Sequence, residues 1–345
     1  MNVLMVGPDS LEKGGIATVI RNFEKHYDSS MYSLFFLSSW SSNKKWRTIG
    51  KAFWRIRKLI RVNNISIVHF HVAQRGSFFR KVLLSRFIPR ECKIIFHMHA
   101  SQFDRFYEGS NKFTQFIIRR SFDYADRIIV LGNGWADFYK KLTKTEVIVL
   151  PNAVKIPETT LFNPTAQNII TFGRVGCRKG SYDLLQVAQQ INKSYPDIRF
   201  ILYGDGEIEK VGEQIKAKRM RNVCLGGWLD KREQKEVIKN AILHFLPSYH
   251  EGLPMSVLET MAAGIPNLVT EVGGLPECIV HQKNGLIVKP GDVNGMVREL
   301  EDYLAQPKYR KRLSEVSRKY VADYFSLTNY HQKWDEIYTE LYLRH

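Results

Sequence analysis

Short apolar runs, rich in Val, Ile, Leu and Phe, recur along the chain and are broken each time by glycine, proline or polar residues. Continuous runs of this kind read as strands buried on both faces. In the first half they are Asn2–Gly7, Tyr32–Leu37, Ile65–His71, Lys93–His99, Ala125–Leu131 and Val147–Leu150. In the second they are Asn168–Arg174, Phe200–Gly206, Val223–Trp228, Ala241–Ser248, Asn267–Thr270 and Gly285–Val288. Stretches of helical spacing lie between them, as from Gly14, from Asn43 to Arg61 and from Tyr182, and Val293 to His345 reads as helices. Strands alternating with helices predict an α/β fold with parallel sheets. The Pro- and Thr-rich run Ile156–Pro164 has little periodicity and separates the two series. The pattern therefore predicts two doubly wound domains facing each other across a cleft, residues 1–160 and 161–325, followed by a terminal helix over 326–345.

A chain of 345 residues with 44% hydrophobic content agrees with two soluble globular domains. No apolar run approaches the roughly 20 residues that span a bilayer. Met1–Gly7 has no basic leader and reads as a buried strand rather than a signal peptide. Cys92, Cys177, Cys224 and Cys278 are widely spaced, which argues against a zinc or disulfide framework and fits a reducing cytoplasm. Charge changes the picture more. Of the formal net +17, residues 1–160 hold 26 Lys and Arg against 12 Asp and Glu. Basic residues interleave with Trp and Phe over Asn43–Arg61, Arg75–Arg90 and Lys112–Arg120. Such helices pack one face on a core and leave the other solvated, or lie on an anionic membrane.

The chemistry concentrates in His250-Glu251-Gly252-Leu253-Pro254-Met255-Ser256, which turns into a helix ended by Gly264-Ile265-Pro266. Its free backbone amides suit a phosphate. Glu251 before the helix and Glu259 within it can accept hydrogen bonds from hydroxyl groups; the plain alternative is a capped helix with two solvated glutamates. Gly173-Arg174-Val175-Gly176-Cys177-Arg178-Lys179-Gly180 sets Arg174 and Lys179 five apart in a glycine-rich loop, which suits a diphosphate. Gly14-Gly15 after the first strand permits close approach of backbone to a ligand. No G-x-G-x-x-G occurs, so no dinucleotide cofactor is expected. His69-Phe70-His71 and His97-Met98-His99 each place two imidazoles on one strand face. Without a visible partner set, no metal is expected there.

Glu251–Pro266, followed by Gly273-Gly274-Leu275-Pro276-Glu277, resembles the signature of the retaining glycosyltransferase family 4. Gly173-Arg174…Lys179-Gly180 is similar to the family's phosphate loop. His99-Ala100-Ser101-Gln102-Phe103-Asp104 is similar to its donor-sugar segment, with Ala100 where the family has glycine. The resemblance implies the GT-B fold, with the last helix returning to the first domain. It implies that Arg174, Lys179 and the backbone amides near Leu253–Ser256 bind the diphosphate, with Gly252, Leu253, Pro254, Met255 and Ser256 forming that donor-binding turn. Glu259 would hold the ribose, Glu251 and His99 the sugar, and Gly14, Gly15, Gly204 and Gly227 would lie around the donor. It also implies a nucleotide-sugar donor, a lipid-linked saccharide acceptor, no cofactor and no metal. With the basic half, it places the protein in the cytoplasm, at the anionic inner face of the cell membrane, in capsule, exopolysaccharide or O-antigen assembly. A sugar-nucleotide epimerase or a phosphorylase of the same fold is the near alternative. A nucleic-acid-binding protein is the distant one, and it gives Glu251 and Glu259 no role, so no nucleic acid is expected.

Overall fold

A computed structural model describes residues 1–41 and 45–343. Asn43 and Lys44, where the spacing predicts the first basic helix to begin, lie outside the described residues, as do Arg344 and His345; the side chains of Lys45 and Trp46 are likewise not described. The chain forms two units, Met1–Ala153 with Leu327–His345, and Val154–Ser326.

The first unit runs β1 (Asn2–Pro8), α1 (Gly15–His26), β2 (Ser33–Trp40), α2 (Lys45–Val62), β3 (Ile65–Val72), α3 (Gly76–Ser85), β4 (Lys93–Met98), α4 (Phe103–Glu108), α5 (Lys112–Phe122), β5 (Arg127–Val130), α6 (Asn133–Lys140) and β6 (Val147–Val149). The strands pair in parallel in the order β2-β1-β3-β4-β5-β6, so the order reverses between β1 and β3. Strand alternation sorts the side chains. Val68, Phe70 and Val72 join Ile56, Phe78, Phe96, Phe103 and Phe122 in one core. The intervening His69 and His71 face the other way, beside Phe23 of α1.

The second unit runs β7 (Asn168–Phe172), α7 (Ser181–Ser194), β8 (Arg199–Tyr203), α8 (Ile208–Ala217), β9 (Val223–Gly227), α9 (Lys231–Lys239), β10 (Ala241–Leu246), α10 (Met255–Ala262), β11 (Asn267–Thr270), α11 (Leu275–Cys278), β12 (Leu286–Val288), α12 (Val293–Ala305) and α13 (Pro307–Tyr324). Its parallel order is β12-β11-β10-β7-β8-β9, which reverses between β7 and β10. Counted within the unit, this is the doubly wound dinucleotide-fold order. Leu184, Leu185, Ile191, Phe200, Leu202, Phe245, Leu300 and Tyr303 form its main core.

The last helix, α14 (Leu327–Leu343), belongs to the first unit. Its aromatic stripe is the reason. Trp334, wholly buried, lies 4.3 Å from the His69 ring and 5.3 Å from Tyr338. Tyr338 Oη lies 2.8 Å from His69 Nδ1, and Ser29 Oγ donates to Asp335 at 2.8 Å.

Two boundaries differ from the sequence pattern. Residues 156–164 are not a free link between domains. Val154 N–H donates to Phe325 O at 2.9 Å, Leu161 N–H to Ala263 O at 2.8 Å, and Arg318 donates to Pro157 O at 2.7 Å. Backbone groups that local periodicity leaves unassigned are satisfied by α13 and the end of α10, so the division falls at Ala153/Val154 rather than at 160/161. At the other end Ser326 stays with the second unit through its bridge to Val154. Among the described residues no helix is long and apolar enough to cross a membrane.

Candidate active site

In the second unit the candidate residues gather at the C-terminal ends of the strands, and the charged ones at the reversal between β7 and β10. This is where an open parallel sheet leaves a crevice for a ligand. The loop after β7 supplies Arg174 and Lys179. A left-handed Gly180 (φ 67°) closes that loop, and a Cβ there would lie 1.8 Å from Pro247 O, so only glycine fits. The two loops are thereby pressed together.

Their contact is a buried ion pair. Lys179 Nζ lies 2.6 Å from Glu251 Oε1, and both residues are over nine-tenths buried. Ser248 Oγ donates to the same carboxylate oxygen at 2.6 Å. Arg178 lies 4.0 Å from Glu251 Oε2 and donates to His250 O at 2.9 Å. Arg174 is exposed, and no ion pair holds its guanidinium among the described residues. Gly273 (φ 57°) packs against Glu251 from the β11 side; a Cβ there would meet Glu251 O at 2.0 Å.

Gly252, Leu253 and Pro254 lead into α10. Pro254 is its N-cap and offers no side-chain acceptor, so the first-turn amides at Met255 and Ser256 carry no side-chain cap. Glu259 sits further along α10, with both carboxylate oxygens engaged: Oε1 by Lys231 Nζ at 2.5 Å and Oε2 by Gln234 Nε2 at 2.9 Å. Gly204 and Gly227 both have positive φ at the ends of β8 and β9. A Cβ on Gly204 would strike Gly173 O, whereas around Gly227 the space is open.

In the first unit, Gly14 (φ 119°) caps α1, and a Cβ there would meet nothing within 4 Å. Its glycine therefore serves backbone conformation, with room beside it. His99 follows β4 directly, and its Nε2 lies 3.0 Å from His71 Nδ1. Burial, with the Lys81 ammonium second, lowers its pKa to about 3, so its ring is neutral.

Residues 14–156 match the family model described as Glycosyltransferase Family 4, and residues 154–320 match Glycosyl transferases group 1. The chain belongs to the family 4 glycosyltransferases.

Among the relatives of this glycosyltransferase is the 2-deoxystreptamine N-acetyl-D-glucosaminyltransferase of Niallia circulans, 26% identical over 290 residues, 76% of this chain and 73% of that protein. Another is the UDP-Gal:alpha-D-GlcNAc-diphosphoundecaprenol alpha-1,3-galactosyltransferase of Escherichia coli, 22% identical over 323 residues, 84% of this chain and 79% of that protein. Among solved structures, sucrose-phosphate synthase from Thermosynechococcus elongatus superposes with a TM-score of 0.84 at 15% identity, over all of both chains. That likeness concerns fold. The glycosyltransferase has the GT-B fold, built of two Rossmann-like units.

The structure adds residues around the site that spacing did not single out. Lys231 and Gln234 reach Glu259 from α9, whose start is a full capping box at Asp230 and Glu233. The Asp-x-x-Glu spelling marks that helix start, but nothing in it points to Glu259. Ser248 was inside the apolar run that becomes β10 and its loop. His244, on β10, is buried with Nδ1 2.6 Å from Asn267 Oδ1. The first unit also corrects the reading of the histidine pairs: β3 and β4 are neighbours with His71 opposite His97, so the two pairs form one cluster.

Buried neutral histidines make stability pH-dependent. Burial lowers the pKa of His244 to about 4 and that of His99 to about 3, and drives those of His69, His71 and His97 well down. The folded values lie below the unfolded value of about 6.5. Stability is therefore full above pH 6.5 and is lost as pH falls toward 4, because the unfolded chain takes up protons that the folded chain refuses. His244 alone accounts for about 2 kcal/mol of loss at pH 5. Urea unfolding of metal-free protein at pH 7 and pH 5 should show a decrease of at least this size. Equal stability at the two pH values would contradict neutral burial.

Proposed function

We propose that this glycosyltransferase moves a hexose-type sugar from a nucleotide diphosphate donor, UDP in preference to GDP, to a lipid-linked saccharide with retention of anomeric configuration. The observation that carries the reading is the buried Lys179–Glu251 pair beside the uncapped start of α10. A buried pair with excellent geometry and a third hydrogen bond is costly to assemble, and it places opposite charges where a sugar diphosphate needs both. Lys179 and Arg174 would take the diphosphate oxygens. The amides of Met255 and Ser256, at the positive end of α10, would add fixed donors. Glu251 would accept from sugar hydroxyls and face the positive charge that develops at the anomeric carbon. Glu259 would exchange Lys231 or Gln234 for the ribose hydroxyls.

In the reaction the bond between the anomeric carbon and the β-phosphate oxygen breaks, and its electron pair stays on that oxygen. The acceptor hydroxyl oxygen bonds to the same carbon from the same face and passes its proton to the departing phosphate. Fixed positive groups stabilise the charge that the phosphate gains, so the chemistry asks for no metal at the diphosphate. The Escherichia coli relative, named for a UDP-galactose donor and a diphosphoundecaprenol acceptor, supports the choice of UDP and of a lipid-linked acceptor. Capsule, exopolysaccharide or O-antigen assembly is the setting that such an acceptor fits.

The acceptor's lipid calls for a membrane surface, and the first unit offers one. The segments forming α2 and α5 contain seven and three Lys or Arg and no Asp or Glu, and α3 adds Arg80, its other cation, Lys81, being buried. Trp54, Leu83, Phe113 and Phe116, all on these helices, are more than half exposed. Aromatic side chains at headgroup depth among cations match an anionic inner leaflet. The protein would act in the cytoplasm as a peripheral membrane enzyme.

Two measurements test the reading. UDP at 100 times its dissociation constant should stabilise the protein by about 2.7 kcal/mol without added metal. The stabilisation should vanish in Glu259→Ala and in Arg174→Ala; a shift that survives both would remove the donor site from this loop. In co-sedimentation, phosphatidylglycerol vesicles should retain the protein and phosphatidylcholine vesicles should not. Retention should weaken as salt shortens the screening length and in Trp54→Ala/Phe113→Ala. Equal retention on both lipids, or on neither, would overturn the membrane assignment.

A further inference from the structure

The histidine cluster of the first unit has no part in the reaction just described, and it is unusual as core. His69, His71 and His97 are each wholly buried. They lie on the sheet face covered by Phe23 and Trp334, with the indole 4.3 Å from His69 and 5.2 Å from His97 between ring centroids. A neutral imidazole brings one N–H donor and one lone pair, and burial requires both to be placed. Some are. His69 Nδ1 faces Tyr338 Oη at 2.8 Å, and His71 Nδ1 faces His99 Nε2 at 3.0 Å. His71 Nε2 and His97 Nε2 have no hydrogen-bond partner among the described residues.

The spacing of the rings supplies a second observation. One nitrogen from each of the three lies within 4.8 Å of the other two. His69 Nε2 and His97 Nδ1 are 3.2 Å apart. Nitrogens bound tetrahedrally to zinc at about 2.0–2.1 Å stand about 3.3 Å from each other. The pair therefore already forms one edge of such a site.

We propose that His69, His71 and His97 hold a divalent transition-metal ion, with zinc the best fit. His69 binds through Nε2, His97 through Nδ1 and His71 through the otherwise unpartnered Nε2. The remaining nitrogens of His69 and His71 then carry protons with ready acceptors, His69 Nδ1–H to Tyr338 and His71 Nδ1–H to His99, while His97 Nε2–H keeps no partner among the described residues. This is the outer-shell pattern that fixes ligating imidazoles. Three neutral imidazoles without a carboxylate select zinc, copper or nickel over magnesium or calcium. The ion would join β3 to β4 and, through Tyr338, to α14. It would also fix His99 with its own proton on Nδ1, leaving that N–H for a ligand. Its place is structural and positioning, in the unit that does not carry Arg174 and Lys179.

Untagged full-length protein, stripped with chelator and reloaded with zinc or cobalt(II), tests this. After desalting, one ion per chain should remain, and the cobalt form should show the intense visible bands of a tetrahedral site. X-ray absorption of the zinc form should show imidazole nitrogens at about 2.0–2.1 Å. His71→Gln/His97→Gln should lose at least 100-fold in metal affinity while keeping the stabilisation by UDP. No retained ion in the wild type, a shell of sulfur or of oxygen alone, or equal retention by the folded double variant would each overturn the proposal. Loss of the UDP effect would instead bear on the donor site, so the two failures are distinguishable.

Discussion

The burial of a lysine against a glutamate at the reversal of the second sheet is the constraint on which the site depends. Neither charge is tolerated alone at that depth, and removing one partner of such a pair typically costs about 3–5 kcal/mol. Lys179 and Glu251 come from loops 72 residues apart in sequence. They meet because β7 and β10 are adjacent parallel strands and because Gly180 lets one loop pass against Pro247 O. Ser248 takes up a further lone pair of the carboxylate. Sheet order, loop glycine and charge pairing are thus three aspects of one arrangement. In the proposed reaction, a nucleotide sugar would replace each half of it with its own charges and hydroxyls.

The first unit is organised differently. One face of its sheet is an ordinary apolar core, and the other is a layer of histidines under α14. Three of its helices, α2, α3 and α5, contain Lys and Arg but no Asp or Glu. The unit thus combines an interior that holds imidazoles neutral with the basic helices on which the proposed membrane contact rests. The basic excess over residues 1–160 has a physical address in α2, α3 and α5 rather than being spread over the fold.

Much of this was legible in the sequence. The two strand–helix series, the twelve strands and the glycines at strand ends follow from apolar runs and their breaks, because parallel strands are buried on both faces. Glu251 and Glu259 are visible as the carboxylates of an otherwise apolar segment, and Arg174 and Lys179 as basic residues in a glycine-rich loop, but it is the resemblance to the family's motifs that ties all four to a donor. What periodicity could not show were relations across the chain. Lys231 and Gln234 reach Glu259 through the packing of α9, and the spelling of that helix indicates only its start. Residues 156–164 look like a linker because their partners, in α13 and after α10, are far away in sequence. The histidine pairs looked isolated for the same reason: only the pairing of β3 with β4 makes His69, His71 and His97 a cluster.

The central claim, a retaining transfer driven by fixed charges around the donor diphosphate, is tested most directly by the stereochemistry of the product. Purified protein, a UDP-hexose and a short-chain polyprenyl diphosphate saccharide, incubated with chelator, should release UDP and yield a new glycosidic bond. NMR of that product should show the donor's α-configuration kept at the anomeric carbon. An inverted product, or transfer that requires an added divalent ion at the diphosphate, would contradict the account.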